Sequence, residues 1–177
     1  GRARSKPVPV SVLTGHLARA TLRLEPPGVF EARVSSGALR IGARLRLTGV
    51  APTPDPVLGP AGGNPGAGAE LLAPDGEVRH TVPPGTYEVV FDAGPEFRPE
   101  TRRLRLEAGK TARLEVELGR ALQRRGWFAL DPYLLTRHSP TSSTPMAARV
   151  AACRAQNLDG IVLLDEGQST APPPGAG

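Results

Sequence analysis

A chain of 177 residues has room for one ordinary domain or two small ones; its 22 Lys+Arg against 17 Asp+Glu leave a net charge of +5, nearly all of it carried by arginine. Gly 21 and Pro 20 commit more than a fifth of the chain to turns and linkers, and aromatics are only 4%, so a core must be built mainly from Val, Leu and Ala. The single cysteine, Cys153, excludes an internal disulfide, no apolar run reaches the roughly 18–20 residues that cross a bilayer, and no apolar signal segment follows the basic start Gly1–Lys6.

Residues 1–9 are basic and proline-spaced, which predicts little order. Residues 10–13 and 20–25 have β character; in the second, Leu22 and Leu24 alternate with Arg23 and Glu25. Pro26-Pro27-Gly28 turns the chain into a strand over 29–34. Residues 1–37 therefore read as an arm with accessory strands.

Over 42–49, Ala43, Leu45 and Leu47 fall on one face and Arg44, Arg46 and Thr48 on the other, the period of a half-buried strand. Residues 51–68 are a long loop by composition, too poor in apolar side chains to order itself by burial. Then strands are predicted over 77–82, 86–91, 102–106 and 111–118. The turns Pro74-Asp75-Gly76, Pro83-Pro84-Gly85 and Ala108-Gly109-Lys110 separate them. In the last strand Ala112, Leu114, Val116 and Leu118 oppose Arg113, Glu115 and Glu117. Short strands with a turn about every ten residues predict an antiparallel β-sandwich over 38–119.

The pattern changes after Gly119. Residues 119–125 form a basic connector, and 127–135 are more continuously apolar. Thr144-Pro145 reads as a helix start, with Thr144 as cap. Met146, Val150, Cys153 and Asn157 then recur at helical spacing, with Arg149 and Arg154 outside. Residues 160–164 (GIVLL) are a fully apolar strand. Strand, helix and apolar strand make a βαβ unit over 120–167. Residues 168–177 read as a disordered tail. The fold class is thus mainly β, a sandwich with a small C-terminal βαβ unit.

The blocks ARLRLTGV, DGEV, VPPGTYEVVFDAGPEFRPE and LEAGKTARLEVEL resemble carboxypeptidase-regulatory-like modules of transthyretin type. That resemblance implies a sandwich with structural or binding roles and no catalytic residues of its own. The blocks GWFALDPYLLTRHSPTSSTP, MAARVAACRAQN and LDGIVLLDEG resemble the opening of PHP-type metallohydrolases of the CehA/McbA-like branch. There the first block reads about G-W-x-x-x-D-x-H-x-H-[ST] and the last ends T-D-H. The resemblance also implies an extracytoplasmic setting, periplasmic or secreted.

In this chain Tyr133 and Leu135 stand at the H-x-H positions, and Glu166 replaces the final histidine, while Asp131 and Asp165 are retained. A leucine cannot ligate a metal, and a neutral tyrosine is a poor ligand; catalytic sites typically need three protein ligands around an activated water. A complete barrel takes about 200 residues or more. The fifty-odd residues after Gly119 therefore hold at most its first βαβ. No catalytic residue, metal or other cofactor is expected.

His138 lies near the altered ligand pair and is either a residual site residue or a surface loop histidine. Ser139, Ser142 and Ser143 beside it read better as helix-start caps than as a nucleophile, for no G-x-S-x-G is present. Cys153 falls on the apolar helix face, the ordinary place of a buried structural thiol. His16 and His80 are expected in solvent or on a backbone hydrogen bond. Arg44, Arg46, Arg103, Arg105 and Arg113 line polar strand faces without interleaved aromatics, so a solvated face is expected and nucleic acid is not.

The function expected is a non-catalytic structural or protein-binding module. The alternatives are the N-terminal portion of a PHP-type metal-dependent hydrolase and a weak polyanion binder. The apolar strand wants cover on both faces and the helix supplies one. Ile161 and Leu163 are accordingly expected to meet a protein partner or a second copy.

Overall fold

A computed structural model describes residues 8–60 and 66–167. Eleven strands and one helix follow along these residues: β1 (Gly28–Ser36), β2 (Leu39–Arg40), β3 (Ala43–Gly49), β4 (Gly66–Ala67), β5 (Glu70–Ala73), β6 (Glu77–Val82), β7 (Gly85–Asp92), β8 (Glu100–Leu106), β9 (Thr111–Glu117), β10 (Leu130–Leu134), α1 (Met146–Ala155) and β11 (Gly160–Leu163). The molecule is mainly β, as its alternating patterns require. The arm before residue 8 and the tail from 168 lie outside the described residues.

Two sheets make the sandwich. One runs β4-β5-β3-β7-β8, antiparallel throughout, with Leu45 opposite Phe91 and Tyr87 opposite Leu104. The other is centred on β1, which pairs antiparallel with β2 and β6 and parallel with β9. That parallel pair departs from the purely antiparallel expectation. It arises because β9 crosses from beside β8 into the other sheet and finds the free edge of β1, with Ala32 opposite Leu114.

The predicted inward faces meet in one core. Phe30, Val34, Leu45, Leu47, Tyr87, Val89 and Phe91 are fully enclosed, and Leu104, Leu106, Val116 and Leu118 join them. Tyr87 remains polar at its tip, and its hydroxyl donates to the Pro83 carbonyl at 2.8 Å. Burial pushes that phenol's pKa up.

The 51–68 loop gains order from its neighbours in its described parts. Leu58 is buried, its N–H bonds Gly68, and Asp55 accepts from the Gly49 N–H at 2.7 Å. Strand β5 was not legible in the pattern: its adjacent Leu71 and Leu72 do not alternate with polar residues.

The accessory strands expected over 10–13 and 20–25 are absent. Residues 8–26 form no strand and are exposed throughout. Alternation supplies a face, but a strand also needs an edge to pair with, and none is offered here.

Because the core cluster runs from Phe30 to Leu118, a chain ending at Leu122 should fold on its own. It retains the bonds from the Ala121 and Leu122 N–H groups to the Glu96 carbonyl. We expect β-type circular dichroism and one cooperative melt; a broad, non-cooperative melt would show that the C-terminal unit belongs to the same core.

After residue 119 the connector is irregular and leads to β10, α1 and β11. Strands β10 and β11 pair in parallel, with a bulge between Asp131 and Leu134. The βαβ reading therefore stands, but two local expectations do not. Thr144 makes no side-chain cap; Pro145 takes the N-cap position, and its carbonyl receives the Ala148 and Arg149 N–H groups. The buried helix face is Ala148, Ala151, Cys153 and Ala155, with Met146 and Val150 only half-buried. Small alanines let α1 approach β3 and β5 closely, which larger side chains would prevent.

Candidate functional site

Parallel strands of an α/β unit present ligand groups beyond their C-terminal ends. In this chain those ends lead into residues 135–145 and 164–167, where most of the residues singled out from sequence lie. Tyr133 is exposed, and its N–H bonds the Asp131 carboxylate at 3.1 Å. Leu135 is half-buried, and its carbonyl accepts from Arg149 Nε at 3.0 Å and from the Ser142 hydroxyl at 3.3 Å. His138 and Glu166 are exposed.

Asp165 is the buried carboxylate of this end. It accepts from both the Thr136 N–H and the Thr136 hydroxyl, each at 2.6 Å, and Thr136 is fully enclosed. The pair ties the loop after β10 to the end of β11, which is a structural task. Asp131 stands opposite Ile161 and near Cys153 of α1. Among the described residues no three His, Cys, Asp or Glu side chains gather as a metal site. Ser139 is buried on Thr141, 3.2 Å between hydroxyls, and Ser142 serves the Leu135 carbonyl.

Cys153 is buried in α1, and burial, with Asp131 nearby, pushes its thiol pKa up while Arg149 opposes them. The thiolate is the reactive form. Iodoacetamide should therefore label the folded chain slowly and the denatured chain readily; fast native labelling would contradict this burial.

The second constellation, a joint between α1 and the sandwich, was missed from sequence. Asn157 ends the helix in the left-handed conformation (φ 53), which asparagine tolerates. Its amide donates to the carbonyls of Gly42 and Ala93, both at 2.8 Å, and its oxygen accepts from the Gly42 N–H at 3.0 Å. Gly42 and Gly94 make room: a Cβ on Gly42 would stand 2.0 Å from the Arg154 carbonyl oxygen, and one on Gly94 2.4 Å from that of Gln156. An asparagine just past a helix was the available signal, but its spacing placed it on the helix face instead.

Charges surround this clamp along an open cleft of about 530 Å³. Arg124 pairs with Glu96 and Asp159, Arg154 with Asp75, and Arg120 with Glu96 at 3.0 Å while stacking 5.0 Å above Phe97. The Ala129 N–H and Arg124 hold the Asp159 carboxyl below the usual carboxylate range. Three strand-face arginines are paired likewise: Arg44 with Asp92, and Arg79 and Arg113 with Glu31. His16 and His80 bond the carbonyls of Thr14 and Leu58, at 3.2 and 2.9 Å.

The third feature is a bare sheet face. On β10–β11 the side toward α1 carries Asp131, Leu134, Ile161 and Leu163, in register and buried or half-buried. The other side carries Leu130, Tyr133, Val162 and Leu164, which are 57%, 64%, 43% and 44% exposed. Leu130 leans over Gly160. Trp127 and Phe128, each 78% exposed, lie just before β10. Ile161 and Leu163 are thus the half-buried pair, and their neighbours Val162 and Leu164 form the open surface.

No family model matches the sequence, and no curated protein does. Among solved structures the chain is similar to the minor pilin GBS52 of Streptococcus agalactiae, at 14% identity over 59% of this chain and 49% of that one, with a TM-score of 0.42. It is also similar to the TIE protein of Bacillus anthracis, at 12% identity over 73% of this chain and 23% of that one, with a TM-score of 0.38. The chain thus spans about half the length of the first and under a quarter of the second. No helix among the described residues is long and apolar enough to cross a membrane.

Proposed function

We propose that this chain is a non-catalytic structural module that works through protein contact: a sandwich of the carboxypeptidase-regulatory-like kind that presents a degenerate PHP-like βαβ unit as its contact surface. The observation that carries this reading is the uncovered face of Leu130, Tyr133, Val162 and Leu164. Parallel strands are normally covered on both faces. Fully burying one such side chain is worth roughly 1.5–3 kcal/mol, so covering four exposed ones is a substantial drive to associate. The partner is a protein or a second copy, and an extracytoplasmic setting belongs to the same proposal.

The test is a variant carrying Tyr133→Asp and Val162→Asp. Association seen for the unaltered chain should be lost, with the circular dichroism of the sandwich unchanged. Equal association of the variant would remove the face from the account.

One observation favours a second reading, the N-terminal portion of a metal-dependent hydrolase: β10, α1 and β11 do form the parallel unit with which such a domain would begin. Elemental analysis separates the two. Zn, Mn or Fe near one per chain would replace the first reading by the second.

A further inference from the structure

We infer that two copies of this chain pair edge to edge through β9, antiparallel and centred on Leu114, so that their β1-centred sheets run on into one. This contact is separate from the β10–β11 face and goes beyond the function proposed above. Strand β9 is an edge: it pairs with β1 on one side, and among the described residues no strand pairs with its other side. Edge strands are ordinarily blunted by proline or a bulge. Strand β9 contains no proline, and its register with β1 runs unbroken from Thr111 to Glu117.

The backbone restricts the register. The Val29 N–H bonds the Lys110 carbonyl and the Leu118 N–H bonds the Ser35 carbonyl, both at 2.8 Å. A parallel ladder uses alternate residues, so the even-numbered residues of β9 face β1 and Thr111, Arg113, Glu115 and Glu117 turn their N–H and C=O groups outward. An antiparallel partner must set its own outward residues against these. Centred on Leu114, a second copy does so with Arg113 opposite Glu115 and Thr111 opposite Glu117. Centred one residue away, at Arg113 or at Glu115, the middle pair carries like charges, which is destabilising.

The side chains agree on both faces. On the outer face, β6, β1 and β9 carry two rows in register: Arg79, Glu31 and Arg113, then Glu77, Arg33 and Glu115. Ion pairs already run along them. The two-fold joins the first row of one copy to the second row of the other, and the signs alternate along the whole joined row. The internal pairs do not use these groups up. Glu31 already serves both Arg79 and Arg113, and the side chains of Arg113 and Glu115 are 75% and 76% exposed. On the inner face Leu114 meets its own copy and Ala112 meets Val116. That covers Ala112 and Leu114, which a single copy leaves only partly buried against the core. Both copies use the same strand, so the contact closes as a dimer.

The test is disulfide trapping with diamide. Opposed Cα atoms of a non-hydrogen-bonded antiparallel pair lie about 4.5 Å apart, within disulfide reach. Only the residue on the two-fold meets itself. Leu114→Cys should therefore oxidise to a covalent dimer about tenfold faster, or more, than Ala112→Cys or Val116→Cys alone, and those two mixed should link to each other. The unaltered chain, whose Cys153 is buried, is the control. Adding Arg113→Glu or Glu115→Arg to the Leu114→Cys chain sets like charges opposite one another and should stop the linkage. Mixing the two charge variants restores opposite charges and should restore the linkage as a heterodimer, which also excludes misfolding as the cause of the loss. Leu114→Cys linking no faster than Ala112→Cys, or no rescue on mixing, would overturn the inference. Association of the unaltered chain without this register preference would also overturn it and leave the β10–β11 contact standing. The charge rows lie in solvent, so high salt should dissolve this pairing; the loss expected of Tyr133→Asp with Val162→Asp is accordingly read there.

Discussion

Replacing Asn157 with aspartate is expected to release α1, β10 and β11 from the sandwich while the sandwich stays folded. The side chain makes three hydrogen bonds across the joint, two as donor to Gly42 and Ala93 and one as acceptor from Gly42. Aspartate keeps the acceptor and turns both donors into repulsive contacts with carbonyl oxygens. At about 0.5–1.5 kcal/mol per bond, losing two bonds costs the joint roughly 1–3 kcal/mol, and the repulsion adds to that. Hydrogen exchange should show the effect as lost amide protection in α1 and β11 and unchanged protection in β3 and β7. Asn157→Gly, which keeps the left-handed backbone without the bonds, should fall between the two. Unchanged protection in Asn157→Asp would mean that the ion pairs alone hold the joint.

Those ion pairs give the joint a pH dependence. The Asp159 carboxyl is depressed in the folded chain, first by the Ala129 N–H and then by Arg124. A depressed carboxyl contributes stability above its unfolded pKa and loses it as the pH falls through its folded value. Acid should therefore loosen the joint before it unfolds the sandwich.

Phe30→Ala should have the largest effect on the sandwich itself. Phe30 is fully enclosed on β1, opposite His80 on one neighbour and Ala112 on the other, so its removal opens a void under the strand that joins both pairings. Such a truncation costs about 3–5 kcal/mol against a typical total of about 5–15. In a domain of this size that lowers the melting midpoint by more than roughly 10 °C. Leu39→Ala, on exposed β2, should shift it hardly at all.

The sandwich was legible because its strands bury one face only. At Ala43–Leu47 and Gly85–Phe91 the alternation of apolar and polar residues states both the strand and its inward side. The same signal misled at 20–25, where Leu22 and Leu24 alternate but no edge receives them. What alternation cannot encode is the neighbour, so the parallel register of β1 and β9 was invisible as well.

Tyr133, Leu135 and Glu166 could be singled out in the sequence because each stands at a fixed place in a short block. The joint could not, because Gly42, Gly94 and Asn157 lie far apart in the chain and only the fold brings them together. The sidedness of β11 was likewise hidden. Four consecutive apolar residues carry no mark of which face the helix takes, and α1 takes that of Ile161 and Leu163.

The central claim is that the β10–β11 face is a contact surface. It is tested most directly by sedimentation velocity of the unmodified chain across a wide concentration range, in low and in high salt. The account predicts a mass that rises with concentration above that of one chain and persists in high salt, because the contact is apolar at its centre. A chain that stays monomeric throughout, and binds no hydrophobic dye, would contradict it.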